Sequence, residues 1–310
     1  FWNEVRRAGG NAHAPALSVV VLKITSRCPL QCEHCLDGAV HDGRQDPGSD
    51  ELIETVRMLR EEGIAQLQIS GGEPLTRIPD LLRLVREVGD RIDVRLLTSG
   101  VGLTAGAALR LKEAGMSGIH LSLDHWDPDQ HDRFRGGGKV YRWVERAAAH
   151  ARDAGLLGAL SLCATREFVT RENLERYTAL ASSLGASFVQ LVEPRAVGCY
   201  RGRDVALPPG QTALLEEFVA ETNSAPRQSG RPLMVYPAAR QRRIGCLAAG
   251  NRYLYIDECR RVYACPFSST AAGTLGAAPF RELLGGLTAG RCAECPTHRP
   301  GPCAGLTSAR

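Results

Sequence analysis

Long apolar runs, aromatic side chains and an excess of one charge are all scarce in this sequence. No stretch approaches the length of a membrane span, and residues 1–18 lack the charged start and unbroken apolar block of a secretory signal. The expectation is a cytoplasmic chain that does not engage a membrane. Aromatic residues make up 5% of the 310 positions, and methionine occurs three times. The formal net charge is only +4, from 38 Lys and Arg against 34 Asp and Glu. The basic residues are dispersed apart from "AARQRR" at 238–243, which reads as a solvated connector, so no nucleic-acid surface is expected. What remains is 44% hydrophobic, enough to fill one large α/β core with a small appendage.

Cysteine is not scarce. Eleven occur, and in a chain without a secretory route clustered cysteines hold metal or carry out redox chemistry more often than they form disulfides. Cys28, Cys32 and Cys35 form one knot, with His34, in "CPLQCEHC" directly after the apolar run "LSVVVLKIT". Cys163 and Cys199 stand alone. Cys246, Cys259, Cys265, Cys292, Cys295 and Cys303 fall in the last 65 residues.

Between about 50 and 195 a pattern repeats. An amphipathic helical stretch ends on glycine (Gly63, Gly89, Gly115, Gly155, Gly185), and each glycine leads into a short run rich in Val, Ile and Leu. Ser49, Thr104 and Thr170 stand where helix N-caps belong. With "LSVVVLKIT" as the first strand this gives about six β–α units, hence a parallel sheet covered by helices. Right-handed crossovers curl such a sheet into a full or partial barrel or leave it doubly wound. In each case ligands bind at the carboxyl ends of the strands. The cysteine knot, "SGGEP", "TSG", "SLDHWD" and "EPRAVG" all follow strands at that end. From 196 the chain changes character: a Gly/Pro-rich connector, a helix near 211–222, then an irregular cysteine-bearing tail with the hairpin-like "RYLYIDECRRVYAC".

Three thiolates leave one corner of a tetrahedral metal or of a cubane cluster without a protein ligand. One reading makes His34 the fourth ligand of a zinc ion. The spacing argues against it, because Cys32, His34 and Cys35 are nearly consecutive and zinc ligands usually divide between two knuckles. The other reading is a [4Fe-4S] cluster with one open iron.

C-x3-C-x2-C after a first strand, followed by "SGGEP" at 70–74 after the second, resembles the radical S-adenosylmethionine (SAM) superfamily. The likeness covers about 17–195 and continues into the tail. It implies a partial (β/α)6 TIM-like barrel in which Cys28, Cys32 and Cys35 ligate a [4Fe-4S] cluster and SAM chelates the open iron. The 5′-deoxyadenosyl radical produced there takes hydrogen from a substrate C–H bond, and a flavodoxin or ferredoxin supplies the electron. By the same resemblance His34 lies near the adenine. Gly71, Gly72, Glu73 and Pro74 hold the amino group of SAM, and Thr98, Ser99, Ser122 and Asp124 lie near the ribose or substrate. Arg135, in "HDRFRG" at 131–136, can reach a carboxylate.

The tail resembles the twitch or SPASM extension of that superfamily, with Cys246, Cys265, Cys292 and Cys295 ligating one auxiliary [4Fe-4S] cluster. It departs from the fuller seven-cysteine pattern and ends C-x2-C-x7-C, so a second auxiliary cluster is not expected. Cys259 is placed at the glycine position of the hairpin turn. The resulting division is a lead-in helix at 1–17, the barrel at 18–195, a connector and helix at 196–225, and the auxiliary domain at 226–310. A fully ligated auxiliary cluster suits electron transfer and so a net oxidation. Asp124, Glu193 and Asp257 are candidate general bases. The short chain and single auxiliary cluster lean toward a small-molecule substrate, and the roughly 18 residues before the first strand count against a built-in peptide-recognition domain. Crosslinking or epimerisation of a ribosomal peptide is the alternative. A zinc-stabilised binding module would leave "SGGEP" unexplained.

Overall fold

The computed structural model describes residues 17–38, 46–224, 230–246, 248 and 252–289. Six β–α units open it. The strands are β1 (Val19–Lys23), β2 (Gln66–Ser70), β3 (Asp93–Thr98), β4 (Gly118–Ser122), β5 (Leu157–Cys163) and β6 (Phe188–Val192). The covering helices are α1 (Ser49–Glu61), α2 (Ile78–Val88), α3 (Ala105–Ala114), the short α4 (Pro128–Phe134), α5 (Val140–Asp153) and α6 (Arg171–Ser183). Then come α7 (Pro209–Ser224), β7 (Leu233–Val235), α8 (Pro237–Ile244), the strands β8 (Tyr253–Ile256), β9 (Arg261–Tyr263) and β10 (Ala271–Thr274), and α9 (Phe280–Ala289).

All these strands belong to one sheet, in the order β10-β9-β8-β1-β2-β3-β4-β5-β6-β7. Pairing is parallel from β8 through β7, and β8–β9 and β9–β10 are antiparallel. The six consecutive β–α units therefore form as the sequence indicates. The sheet, however, runs unbroken across the boundaries drawn at 195 and 225. β7 adds to β6, and β8 lies parallel to β1, with Val19 opposite Tyr253 and Leu22 opposite Ile256.

Strand alternation sorts the side chains. Leu67, Ile69, Val94, Leu96, Ile119, Leu121, Leu160, Leu162, Val189 and Leu191 point into the core shared with the helices. The opposite face is polar. There Gln66 donates to Asp93 Oδ2 at 2.7 Å, Arg95 Nε donates to the same oxygen at 2.8 Å, and Arg95 lies 3.5 Å from His120 Nε2.

The helix punctuation holds in part. Gly63, Gly89, Gly115, Gly155 and Gly185 all take positive φ at or just after a helix end, the conformation glycine reaches at least cost. Thr104 and Thr170 are side-chain N-caps. Ser49 is not. It is the first residue of α1, and its hydroxyl bonds to Asp80. The amide of Gly48 is capped instead by the Glu51 carboxylate at 2.8 Å.

Candidate active site

The cysteine loop leaves the carboxyl end of β1, and three neighbouring segments fix its path. Asp46 accepts from Thr25 Oγ1 at 2.5 Å and from the Ser26 amide at 2.7 Å. The Gly72 and Glu73 amides donate to the Thr25 and Arg27 carbonyls, both at 2.7 Å. The fit at Gly72 excludes any side chain, since a Cβ there would stand 2.4 Å from the Arg27 oxygen and 2.6 Å from that of Ser26. The "GGEP" turn thus spends two amides on the cysteine loop. The Glu73 carbonyl is taken by the amide and hydroxyl of Thr76, which leaves the Gly71 and Gly72 carbonyls as the groups suited to receive an ammonium, which carries donors only.

Glu73 is 1% exposed. Its Oε1 accepts from Thr98 Oγ1 at 2.6 Å and the Leu75 amide at 3.0 Å, and its Oε2 accepts from the amide and hydroxyl of Ser99 at 2.9 and 2.5 Å. Burial pushes its pKa up, and these donors pull it back. Thr98 and Ser99, placed near a ribose by the sequence reading, turn their hydroxyls onto Glu73. The three residues form a brace beneath the turn. Pro74 is buried at the start of the 3-10 turn Pro74–Arg77.

The far side of the loop rests on the segment "HDRFRG". The Glu33 amide donates to the Phe134 carbonyl at 2.9 Å. The Phe134 ring stacks on His34 at 4.6 Å and 11°. Gly136, at φ +90, lies so close to Gln31 that a Cβ would be 2.6 Å from its oxygen. Arg135 donates through Nε to Asp124 Oδ2 at 2.6 Å and through Nη1 to Cys32 Sγ at 3.6 Å. Asp124 Oδ1 accepts the Cys163 amide at 2.9 Å, and the Asp124 amide donates to His131 Nδ1 at 3.1 Å. That bond assigns the His131 proton to Nε2. Burial works to raise the Asp124 pKa, but the guanidinium beside it holds the carboxyl below the usual range. A base needs a readily protonated oxygen at neutral pH, so Asp124 is better suited to hold Arg135 than to take a proton. Ser122 is the last residue of β4, half-buried, with its backbone paired to Ser161.

The other two candidate bases are also engaged. Glu193 Oε1 accepts from Tyr236 at 2.5 Å and Arg242 at 2.7 Å. Asp257 accepts from the amides of Cys259 and Arg261, and from Arg261 Nε at 2.7 Å. Cys163 is buried at the end of β5, as its strand position suggests. Cys199 is exposed, and its amide donates to the Cys35 carbonyl at 2.9 Å, which places it against the knot.

Cys28, Cys32 and Cys35 are free thiols. Burial pushes Cys28 up to about 12 and Cys35 up to about 11, and neighbouring cysteines add to both. Such thiols become thiolates when a metal takes the proton's place. No group of three His, Cys, Asp or Glu among the described residues is arranged to hold a single metal ion. His34 packs against Phe134, burial lowers its pKa to about 4, and its Nδ1 is buried without a protein partner. Three free thiols in one loop, an unpartnered ring nitrogen and a glycine cradle fit a cluster bearing a small polar ligand better than a closed zinc site.

The auxiliary cysteines are only partly placed. Cys246 follows α8, and the Ala248 amide donates to its sulfur at 3.4 Å. Cys265 follows β9, close enough to the half-buried Tyr253 to add to the upward shift that desolvation gives that phenol. Cys292, Cys295 and Cys303 lie outside the described residues, as does the lead-in at 1–16. Cys259 lies in the β8–β9 turn, whose left-handed residue is Arg260, at φ 61. Lys23, 4% exposed, links this turn to the knot, with Nζ 2.7 Å from Glu258 and 2.8 Å from Asp37. No helix among the described residues is long and apolar enough to cross a membrane.

The family model of the Radical SAM superfamily matches residues 22–178, which span β1 to α6. The chain belongs to the radical SAM superfamily. It is 30% identical over 254 residues to a PqqA peptide cyclase of Streptomyces rochei, covering 80% of this chain and 68% of the relative. It is 31% identical over 224 residues to the PqqA peptide cyclase of Ruegeria pomeroyi, covering 70% of this chain but only 59% of that protein. Streptococcus suis SuiB, solved with its precursor peptide SuiA, superposes with a TM-score of 0.67 at 15% identity, over 85% of this chain and 63% of SuiB. The radical SAM fold brings with it a [4Fe-4S] cluster and SAM as cofactors. The expected α/β architecture and the enzyme class stand.

Proposed function

We propose that this radical SAM enzyme oxidatively crosslinks a ribosomally made precursor peptide. The observation that carries the reading is its 30–31% identity to two PqqA peptide cyclases across most of its length. It replaces the small-molecule preference, which rested on the short chain and the single auxiliary cluster. The chain spans 59% and 68% of those relatives, so peptide recognition is inferred here and not transferred.

Bound at Cys28, Cys32 and Cys35, the cluster and SAM together supply reductive S–C cleavage and a hydrogen-abstracting 5′-deoxyadenosyl radical. The chain's own residues set the geometry. Gly71 and Gly72 present carbonyls to the SAM ammonium, held in place by the Glu73–Thr98–Ser99 brace. His34, stacked on Phe134, offers a buried ring nitrogen to the nucleoside, and Ser122, at the end of β4, would lie near the ribose or substrate. Closing a new bond between two C–H positions removes two hydrogens. One leaves as an atom. The other leaves as a proton and an electron; Cys246, Cys265, Cys292 and Cys295 would hold an auxiliary cluster, which would supply the electron acceptor. A flavodoxin or ferredoxin is the reducing partner.

The test is anaerobic reconstitution with peptides encoded beside the gene. Substrate-dependent 5′-deoxyadenosine and a product lighter by two hydrogens are expected. 5′-Deoxyadenosine that rises with small molecules and never with peptide would overturn the proposal.

A further inference from the structure

We propose that Arg135 is a positioning residue that sets the reduction potential of the cluster at Cys28, Cys32 and Cys35, through a charged N–H···S bond to Cys32. The inference rests on that cluster assignment and is independent of the substrate. Three features of the structure carry it.

The guanidinium is shared between two partners by its rigid fork. Nε and Nη2 hold Asp124 Oδ2, at 2.6 and 2.5 Å, which leaves Nη1 directed at Cys32 Sγ at 3.6 Å. The pair is also desolvated, with Arg135 8% and Asp124 5% exposed, so its charges are little screened. Finally, the fork cannot swing away. Asp124 is tied to the Cys163 amide and through its own amide to His131, while Phe134 and Gly136 on either side of Arg135 grip Glu33, His34 and Gln31.

Reduction adds one negative charge to the cluster. Donors and positive charge at a ligating sulfur stabilise the reduced form and raise the potential. Asp124 has the opposite influence, because it neutralises much of the guanidinium. The two residues therefore act on the cluster with opposite sign. A purely structural role would not show that pattern, since both replacements would then loosen the same loop.

The experiment is a potentiometric titration of loaded wild type, R135Q, R135K and D124N. It follows the part of the reduced-cluster electron paramagnetic resonance signal that changes when SAM is added, which reports the site-differentiated cluster alone. R135Q is expected to lower the reduced-to-oxidised ratio about tenfold at fixed poise, equal to 59 mV for a one-electron couple. R135K should fall between R135Q and wild type, because it keeps the charge and loses the fork. D124N should shift the ratio upward. If R135Q retains no cluster, the comparison is read from R135K and D124N. Equal potentials in all variants, or shifts of Arg135 and Asp124 variants in the same direction, would overturn the inference. C32A should lack the SAM-sensitive signal. Its persistence would also overturn the inference, by removing the cluster from Cys32, without bearing on the peptide reading.

Discussion

Glu73 is a buried carboxylate whose four hydrogen bonds all come from neutral donors. Two of those donors are backbone amides that cannot reverse their polarity. Glu73→Gln sets an amide NH2 against at least one of them and should cost about 2 kcal/mol, read as a lowered urea midpoint. The same change should weaken SAM binding, because the turn above it loses its brace. Two buried histidines predict the response to acid. Burial lowers His120 and His131 to about 4, against about 6.5 in an unfolded chain. Below 6.5 the unfolded state binds protons that the fold refuses, so stability should fall from about pH 6.5 and level off near pH 4. Each shift of this size is worth on the order of 3 kcal/mol. Urea titrations across that range check it, and His131→Gln should flatten the slope. Sequence pattern marked Glu73, Thr98 and Ser99 as site residues but not as partners of one another. Their contact spans 25 positions and exists only because β2 and β3 end side by side.

The short helix α4 shows what an element contributes beyond its length. Its last turn supplies the stack on His34, the carbonyl for Glu33 and the guanidinium for Cys32. The string "HDRFRG" carried that signal in sequence, but nothing linear links positions 131–136 to 31–34. The segment from Gly198 to Tyr200 grips the loop from its other end. Gly198 has φ +56, and a Cβ there would fall 2.1 Å from the Cys35 oxygen. Gly198→Ala should therefore displace Cys35 and reduce iron retained at the knot, measured as iron per chain and absorbance near 400 nm. At the β8–β9 turn the sequence marked Cys259, and only backbone geometry shows that the residue with positive φ is its neighbour Arg260. A β-branched side chain resists positive φ. Arg260→Val should thus cost about 1–2 kcal/mol, whereas Arg260→Gly should be nearly neutral, as it trades the ion pair with Glu54 for relief of that strain.

At the scale of the molecule, six β–α units were legible because five helices close on a glycine and each strand is a short apolar run. The continuity of the sheet was not. β7 and β8 are short strands of three and four residues, and β8 pairs with β1 from the opposite end of the described chain. Because β8 covers one edge of β1, removing residues 226–310 should do more than delete the auxiliary cysteines. It should expose Val19–Lys23 to edge-to-edge association, seen as aggregates by size-exclusion chromatography. A Cys265→Ala change spares that pairing. It should remove about four irons of about eight, with SAM cleavage partly retained.

The strand order starts at β10 and stops at β7, and those two are not hydrogen-bonded to each other. A closed barrel presents its ligand site as a mouth ringed on all sides by loops at the carboxyl ends of the strands. Among the described residues the sheet has two unjoined margins, so that mouth is open on one side and a long chain can lie across it with both ends running out. Residues in the middle of a chain then become as reachable as those at its tip, whatever flanks them.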